Sequence, residues 1–280
     1  MRIALALCLS LASALSATPT VINDAELMSS IQRGIGEYAS AEDGPSADEL
    51  SASLKDVPGV YEGEIPPAPK LENPDDAVYL ISSVYLCGKC DKWHLGGTAS
   101  AWALTADGLM VTNHHVFAKA KGGAMGVCGK DGKTHRIIEV VAADETNDIA
   151  IFRVDTKDLK PLPIGPDAKV GADIEVVSHP ERRFFTHTFG KVSRYHRLPG
   201  PRDKPARIMM SITADYAKGS SGGPVLDSEG RVIGMVASTQ SIYYESSARD
   251  KLKGPLQMVV KNCVPISAIS AMLGKEPAAQ

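Results

Sequence analysis

The chain has 280 residues, 44% of them hydrophobic and 22% charged, and its 33 acidic side chains against 30 basic ones give a formal net charge of −3. That composition fits a globular protein of one large domain or two small ones. It lacks the basic excess that binding to nucleic acid or to an anionic membrane demands, so neither is expected as a partner.

The first residues read as an export signal. Arg2 precedes an apolar run over residues 3–15, and the small residues Ala12, Ala14, Ser16 and Ala17 close it. A basic start, an apolar run of that length and a small-residue exit describe a secretory signal peptide over residues 1–17, and a secreted or periplasmic location. The run is too short for a stable membrane anchor. Cys8 lies within it behind the bulky Leu7, where lipoprotein cleavage sites carry a small residue. The mature chain keeps Cys87, Cys90, Cys128 and Cys263. An even number in an exported protein makes disulfides the default expectation.

Residues 18–75 differ in texture from the rest of the mature chain. Asn23 or Asp24 is a suitable cap for a helix with Leu27, Ile31, Ile35 and Tyr38 on one face. A stretch rich in Ala, Ser, Asp and Glu then runs into Ile65-Pro66-Pro67-Ala68-Pro69, where the prolines favour an extended linker. A propeptide, an arm packed on the main domain and a flexible tether all fit this segment, the tether being the simplest.

From residue 76 to 280 short β-rich runs dominate, at 78–86, 109–112, 137–141, 149–154, 174–177, 208–212 and 232–236. Turn signals punctuate them at Asp107-Gly108, Asp131-Gly132 and Glu229-Gly230. Many short strands with regular turns indicate an all-β sandwich or barrels rather than a parallel α/β sheet. Residues 257–260 read as a further strand. Pro265 then opens a short apolar helix that Gly274 stops.

The most informative string is Lys218-Gly219-Ser220-Ser221-Gly222-Gly223-Pro224. A serine hydroxyl becomes a useful nucleophile only beside a base, with N–H donors aimed at the developing oxyanion. Glycines around it allow the tight turn that such donors require. The string also satisfies the G-x-S-x-G elbow, whose triad runs serine, acid, histidine. All seven histidines precede Ser221, the last being His196, so the elbow has no base to use. The remaining order, histidine then aspartate then serine, is that of chymotrypsin-like barrels.

Thr112-Asn113-His114-His115-Val116, Asn147-Asp148-Ile149-Ala150-Ile151 and Gly219-Ser220-Ser221-Gly222-Gly223-Pro224 resemble the three motifs of trypsin-like serine peptidases, especially their bacterial HtrA-like branch. Thr98-Ala99-Ser100-Ala101 resembles the run into the histidine. The resemblance spans about residues 78–274. It implies two packed six-stranded antiparallel β-barrels with a short C-terminal helix. It also implies an endopeptidase acting on proteins or peptides, with no metal or cofactor. Ser221 is the implied nucleophile, His115 its base, Asp148 the partner of the imidazole, and the N–H groups of Gly219 and Ser221 the oxyanion hole. His114 rivals His115, and Asp144 and Asp155 rival Asp148. HtrA relatives usually carry a peptide-binding PDZ domain after the protease, and the expectation here, with the chain ending at Gln280, is a branch without one.

The resemblance carries two further expectations, and the cysteine spacing a third. Asp215 lies six residues before Ser221, the offset at which relatives with a basic preference carry their pocket aspartate, so a basic P1 residue is expected unless loop length differs. Ser220 stands where zymogen-activated relatives have an aspartate that pairs with a freed N-terminus, and a serine makes no such ion pair. Cys87-Gly88-Lys89-Cys90 leaves a disulfide, within the pair or from either to Cys128, as the leading reading, with structural zinc involving His94 the alternative. An inactive homologue that binds polypeptides is the competing functional class.

Overall fold

A computed structural model describes residues 20–199, 204–244 and 254–274. The expected signal peptide, with Cys8, lies outside them. Among the described residues no helix is long and apolar enough to cross a membrane.

The expected arm helix is present as α1 (Asp24–Ala41), with Asn23 as its cap accepting the N–H of Glu26. Its apolar stripe buries Leu27, Ile31 and Ile35 against Leu80, Val84, Ala124 and Cys128 of the first barrel and against Phe184 and Phe185. Each of these side chains contributes roughly 1.5–3 kcal/mol when fully buried, enough to hold the helix down. Residues 20–41 are thus packed on the domain rather than tethered to it. A second helix, α2 (Ala47–Ser53), starts at a capping box between Ser46 and Glu49.

The first barrel uses β1 (Val78–Leu86), β3 (Ala99–Ala103), β4 (Leu109–Thr112), β5 (Ala124–Cys128), β6 (Thr134–Asp144) and β7 (Ile149–Val154), with β2 (Trp93–Leu95) as a hairpin extension of β1. Pairing runs β1-β3-β4-β7-β6-β5, and β5 returns to β1, so the six strands close. Tyr79, Ala101, Met110, Val127, Ile137 and Phe152, one from each strand, share its interior cluster.

The second barrel is closed in the order β10-β13-β12-β11-β8-β9. Its strands are β8 (Asp173–Ser178), β9 (Thr186–Leu198), β10 (Arg207–Ile212), β11 (Pro224–Leu226), β12 (Val232–Tyr243) and β13 (Leu256–Pro265). The all-β, two-barrel expectation holds. A third apolar layer joins the barrels, where Trp102, Val111 and Ile151 meet Val177, Met209 and Met235. The C-terminal helix α4 (Ile266–Met272) closes this layer with Ile266, Ile269 and Met272.

Charge also spans the junction. Asp75, buried just before β1, pairs with Lys130 and with His187 of β9, whose other ring nitrogen meets Glu175 of β8. The hydrogen bonds that the ring donates to the two carboxylates push the His187 pKa up to about 9.

The cysteine expectation needs correction. All four described cysteines are free thiols. Cys128 lies opposite Leu80 on β1, and β1 runs on to Leu86. At about 3.4 Å per residue this leaves Cys128 roughly 20 Å from the hairpin that carries Cys87 and Cys90, far beyond the Cα separation a disulfide spans. Cys263 is enclosed in the second barrel, opposite Met210 and Val236.

Candidate active site

The site lies in a cleft of about 630 Å³ lined by residues of both barrels, among them His115, Asp148 and Ser221. β4 ends at Thr112, and the chain turns at Asn113 into the single-turn helix α3 (His114–Ala118). His115 leaves this turn toward the second barrel, and its Nε2 lies 3.0 Å from Oγ of Ser221. Nδ1 faces Asp148 at 2.8 Å from Oδ2 and 3.1 Å from Oδ1. With a carboxylate on Nδ1, that nitrogen carries the ring proton and Nε2 keeps its lone pair toward the hydroxyl.

Asp148 sits in the β6–β7 loop with φ +60°, a left-handed backbone that aspartate tolerates better than bulky residues do. Three contacts over-determine it. The backbone N–H of His115 donates to Oδ1 at 2.9 Å, Nδ2 of Asn113 donates to its carbonyl at 3.0 Å, and β7 begins directly after it with Ile149 fully buried. The rivals have other work. Asp144 accepts the N–H and the side-chain amide of Asn147, shaping the turn. Asp155 is exposed beside Arg136. His114 lines the cleft, but the hydrogen bond to Ser221 belongs to His115.

The loop bearing Ser221 needs its glycines. Gly219 has φ +97° and Gly222 φ +85°, and a Cβ at either would collide with backbone, the carbonyl oxygen of His179 for the first and of Ser100 for the second. The Lys218 carbonyl accepts the N–H of Glu181 at 2.7 Å, and the Ser220 carbonyl accepts that of Gly223 at 2.9 Å. In a trans peptide the N–H points opposite to the C=O. The N–H groups of Gly219 and Ser221 therefore face away from those anchors, and among the described residues neither makes a backbone hydrogen bond outside regular elements.

Several supporting residues were not singled out by sequence reasoning. The Ser100 N–H donates to the Ser221 carbonyl at 2.7 Å, and its hydroxyl donates to the Gly219 carbonyl at 3.1 Å. Thr112 Oγ1 donates to the Ser100 carbonyl at 2.8 Å. The signal was present in the runs around Ser100 and Asn113, but their partners lie far along the chain. Ser220 is fully buried, and its Oγ accepts from Ser178 at 2.9 Å. The 179–185 loop, which supplies Glu181, is held by the arm: Asp24 accepts the Phe184 N–H at 3.0 Å. His179, also in this loop, accepts the Phe185 N–H, and burial pushes its pKa down to about 4, so the ring stays neutral.

Asp215 does not reach the cleft. Its carboxylate is 86% exposed and pairs with Lys261 of β13 at 2.7 Å. The wall beside Ser221 comes instead from Tyr216, Ala217, Val236, Ala237 and Ser238. The Tyr216 hydroxyl is tied to the carbonyls of Ser238 and Asn262, each at 2.9 Å. The six-residue offset is correct in sequence, but after the bend at residues 213–214 the chain carries the Asp215 carboxylate outward.

Two antiparallel barrels with a histidine, an aspartate and a serine hydrogen-bonded in a line at their junction define the architecture of the chymotrypsin-type serine hydrolases. Residues 99–235 match the model of the trypsin-like peptidase domain. The chain is 32% identical over 156 residues to the chloroplastic Protease Do-like 5 of Arabidopsis thaliana, covering 51% of this chain and 48% of that one. It is 34% identical over 157 residues to the serine protease Rv3671c of Mycobacterium tuberculosis, covering 54% of this chain and 38% of that one. The crystal structure of the Rv3671c protease in its active form superposes with a TM-score of 0.55 at 25% identity, covering 80% of this chain and 92% of that one. The chain spans about half the length, or less, of the curated relatives it matches. Fold, triad geometry and the match over residues 99–235 together make the chain similar to the trypsin-like serine peptidases.

Proposed function

We propose that this chain is an exported serine endopeptidase that cleaves proteins or peptides through an acyl-enzyme. The observation that carries the reading is the unbroken line from Asp148 through His115 to Ser221, with contacts of 2.8 and 3.0 Å. His115 Nε2 takes the Ser221 proton as Oγ attacks the scissile carbonyl, and the carboxylate of Asp148 stabilises the resulting imidazolium. The N–H groups of Gly219 and Ser221 receive the oxyanion. The imidazolium then protonates the leaving amine, and water, deprotonated by the same ring, releases the acyl group. Side chains and amides handle every proton and charge on this route, which calls for no metal or cofactor. Residues 76–280 form the peptidase domain in this reading, and residues 18–75 an arm folded onto it. The basic start and apolar run before residue 18 support delivery to the periplasm or beyond.

The P1 residue in this reading is small and uncharged. A basic P1 was expected from Asp215, but that carboxylate is paired with Lys261 and does not line the cleft, where Tyr216, Ala217, Val236, Ala237 and Ser238 are apolar or neutral. The decisive experiment combines fluorophosphonate labelling with peptide-library profiling of wild type and Ser221→Ala. Labelling and cleavage abolished by Ser221→Ala are expected, with aliphatic P1 residues enriched. An unlabelled wild type would favour a polypeptide-binding homologue without catalysis, and dominant cleavage after Arg or Lys would reinstate Asp215.

A further inference from the structure

We propose that Cys87, Cys90 and His94 bind one zinc-class divalent cation, forming a site outside the catalytic cleft that fixes the β1–β2 hairpin on which the arm helix rests. The three residues have a Cys-x2-Cys-x3-His spacing across the hairpin turn. Their ligand atoms all lie within 4.8 Å of one another. The two sulfurs are 3.5 Å apart, and Cys90 Sγ is 3.1 Å from His94 Nε2.

These distances suit coordination to a shared ion. Tetrahedral zinc with Zn–S near 2.3 Å and Zn–N near 2.0–2.1 Å places two sulfurs about 3.8 Å apart and a sulfur and a nitrogen about 3.5 Å apart. A disulfide requires sulfurs about 2.05 Å apart and gives the imidazole nothing to do. Here the imidazole converges on the same point as both thiols.

The turn between the two thiols uses Gly88 at φ +70°, whereas Cys128 and Cys263, the other two described thiols, are buried elsewhere. Two thiolates and a neutral imidazole balance a dication, and binding releases the two thiol protons without any oxidant. Cys87 and Cys90 are exposed, so an ion can enter from solvent. A fourth position is left for water or an external ligand.

The hairpin is also where the arm is anchored. Trp93, next to His94 on β2, donates from Nε1 to Ser40 at 2.8 Å, and its carbonyl accepts from Gln32 at 2.8 Å. His94 is seated opposite Tyr85 in the β1–β2 register, with the two rings 5.8 Å apart. A bound ion would therefore hold the turn from which both α1 contacts hang.

The test uses the full chain, purified under nitrogen without chelator. Metal content is measured by mass spectrometry, and cobalt(II) is titrated into metal-free protein for wild type, Cys90→Ser and His94→Ala. One equivalent of zinc is expected in wild type. Cobalt should give thiolate charge-transfer bands with tetrahedral d–d absorption, and affinity should fall at least tenfold in each variant. Cys128 and Cys263 persist in both variants, so the loss reports this cluster alone. Fluorophosphonate labelling of Ser221 run alongside separates failure of the metal site from failure of the peptidase reading. A Cys87–Cys90 disulfide in the freshly purified protein, two reduced thiols that take up neither ion, or cobalt binding unchanged by His94→Ala would each overturn the proposal.

Discussion

Replacing His187 by Gln should flatten a fall in stability that the wild-type chain shows between pH 6.5 and about 9. In the folded chain the imidazole lies between Asp75 and Glu175, whose hydrogen bonds raise its pKa from 6.5 to about 9 against the opposing effect of burial. A folded-state pKa above the unfolded one means that the native state holds the proton more tightly. The stabilisation is therefore complete below pH 6.5, declines as pH rises through that interval, and is gone above about 9. At about 1.4 kcal/mol per pKa unit the gap corresponds to roughly 3 kcal/mol without solvent. With the side chain 31% exposed, screening reduces this to about 1–2 kcal/mol. Asp75 acts on the other limb. Burial raises its pKa, but the hydrogen bonds from His187 and Lys130 bring it below the ordinary 3.8, so its contribution is lost only in strong acid. Urea unfolding at several pH values across the window, wild type beside His187→Gln, reads the difference directly. Comparing the two chains cancels the buried thiols, whose ordinary value is 9.0. Parallel stability curves across the window would refute the bridge.

The site and its supports carry three other expected outcomes. Asp148→Asn should lower kcat about 10⁴-fold with little change in KM, because an amide favours the wrong imidazole tautomer, as steady-state kinetics on a cleaved peptide would show. Asp24→Ala removes the acceptor of the Phe184 N–H; a charge-assisted hydrogen bond contributes about 1.5–3 kcal/mol, so loosening the 179–185 loop should lower the fluorophosphonate labelling rate by up to about tenfold while the fold is retained. Ile31→Ala empties a fully buried position under α1 and should destabilise the chain by about 2–5 kcal/mol, measured by denaturant unfolding.

What the sequence made legible was whatever one element carries by itself. β1, β4 and β7 are apolar runs between turn dipeptides, and α1 has its cap and its stripe within one segment. The His115 and Asp148 motifs were readable because they flank β4 and β7, and the Ser221 motif because of its glycines and the histidine-aspartate-serine order. β9 was missed since its 13 residues, Thr186–Leu198, are mostly polar and partly exposed, and barrel closure rather than apolar content makes them a strand. Asp215 shows the limit of counting: an offset along the chain does not say which way a turn faces. The Ser100 contacts with Gly219 and Ser221, and the grip of Asp75 on His187, join residues more than a hundred positions apart, and no local pattern announces them.

Ser220 brings these non-local contacts to bear on the oxyanion loop. A carboxylate at this buried position would carry a desolvation penalty of several kcal/mol unless a cation met it, the arrangement in relatives that wait for a freed amine. Here the position is a neutral hydroxyl already paired with Ser178, so it offers no charge for an incoming amine to satisfy. The orientation of the Lys218–Gly219 peptide rests instead on Glu181. The loop bearing Glu181 is in turn seated on α1 through Phe184 and Phe185 and through the Asp24 carboxylate. The support for the proposed oxyanion donors therefore comes from a helix more than 150 residues upstream, through packing and hydrogen bonds that need no proteolytic event to form. If those contacts act in series, cutting the arm away should leave Ser221 in place and impair the donors facing it.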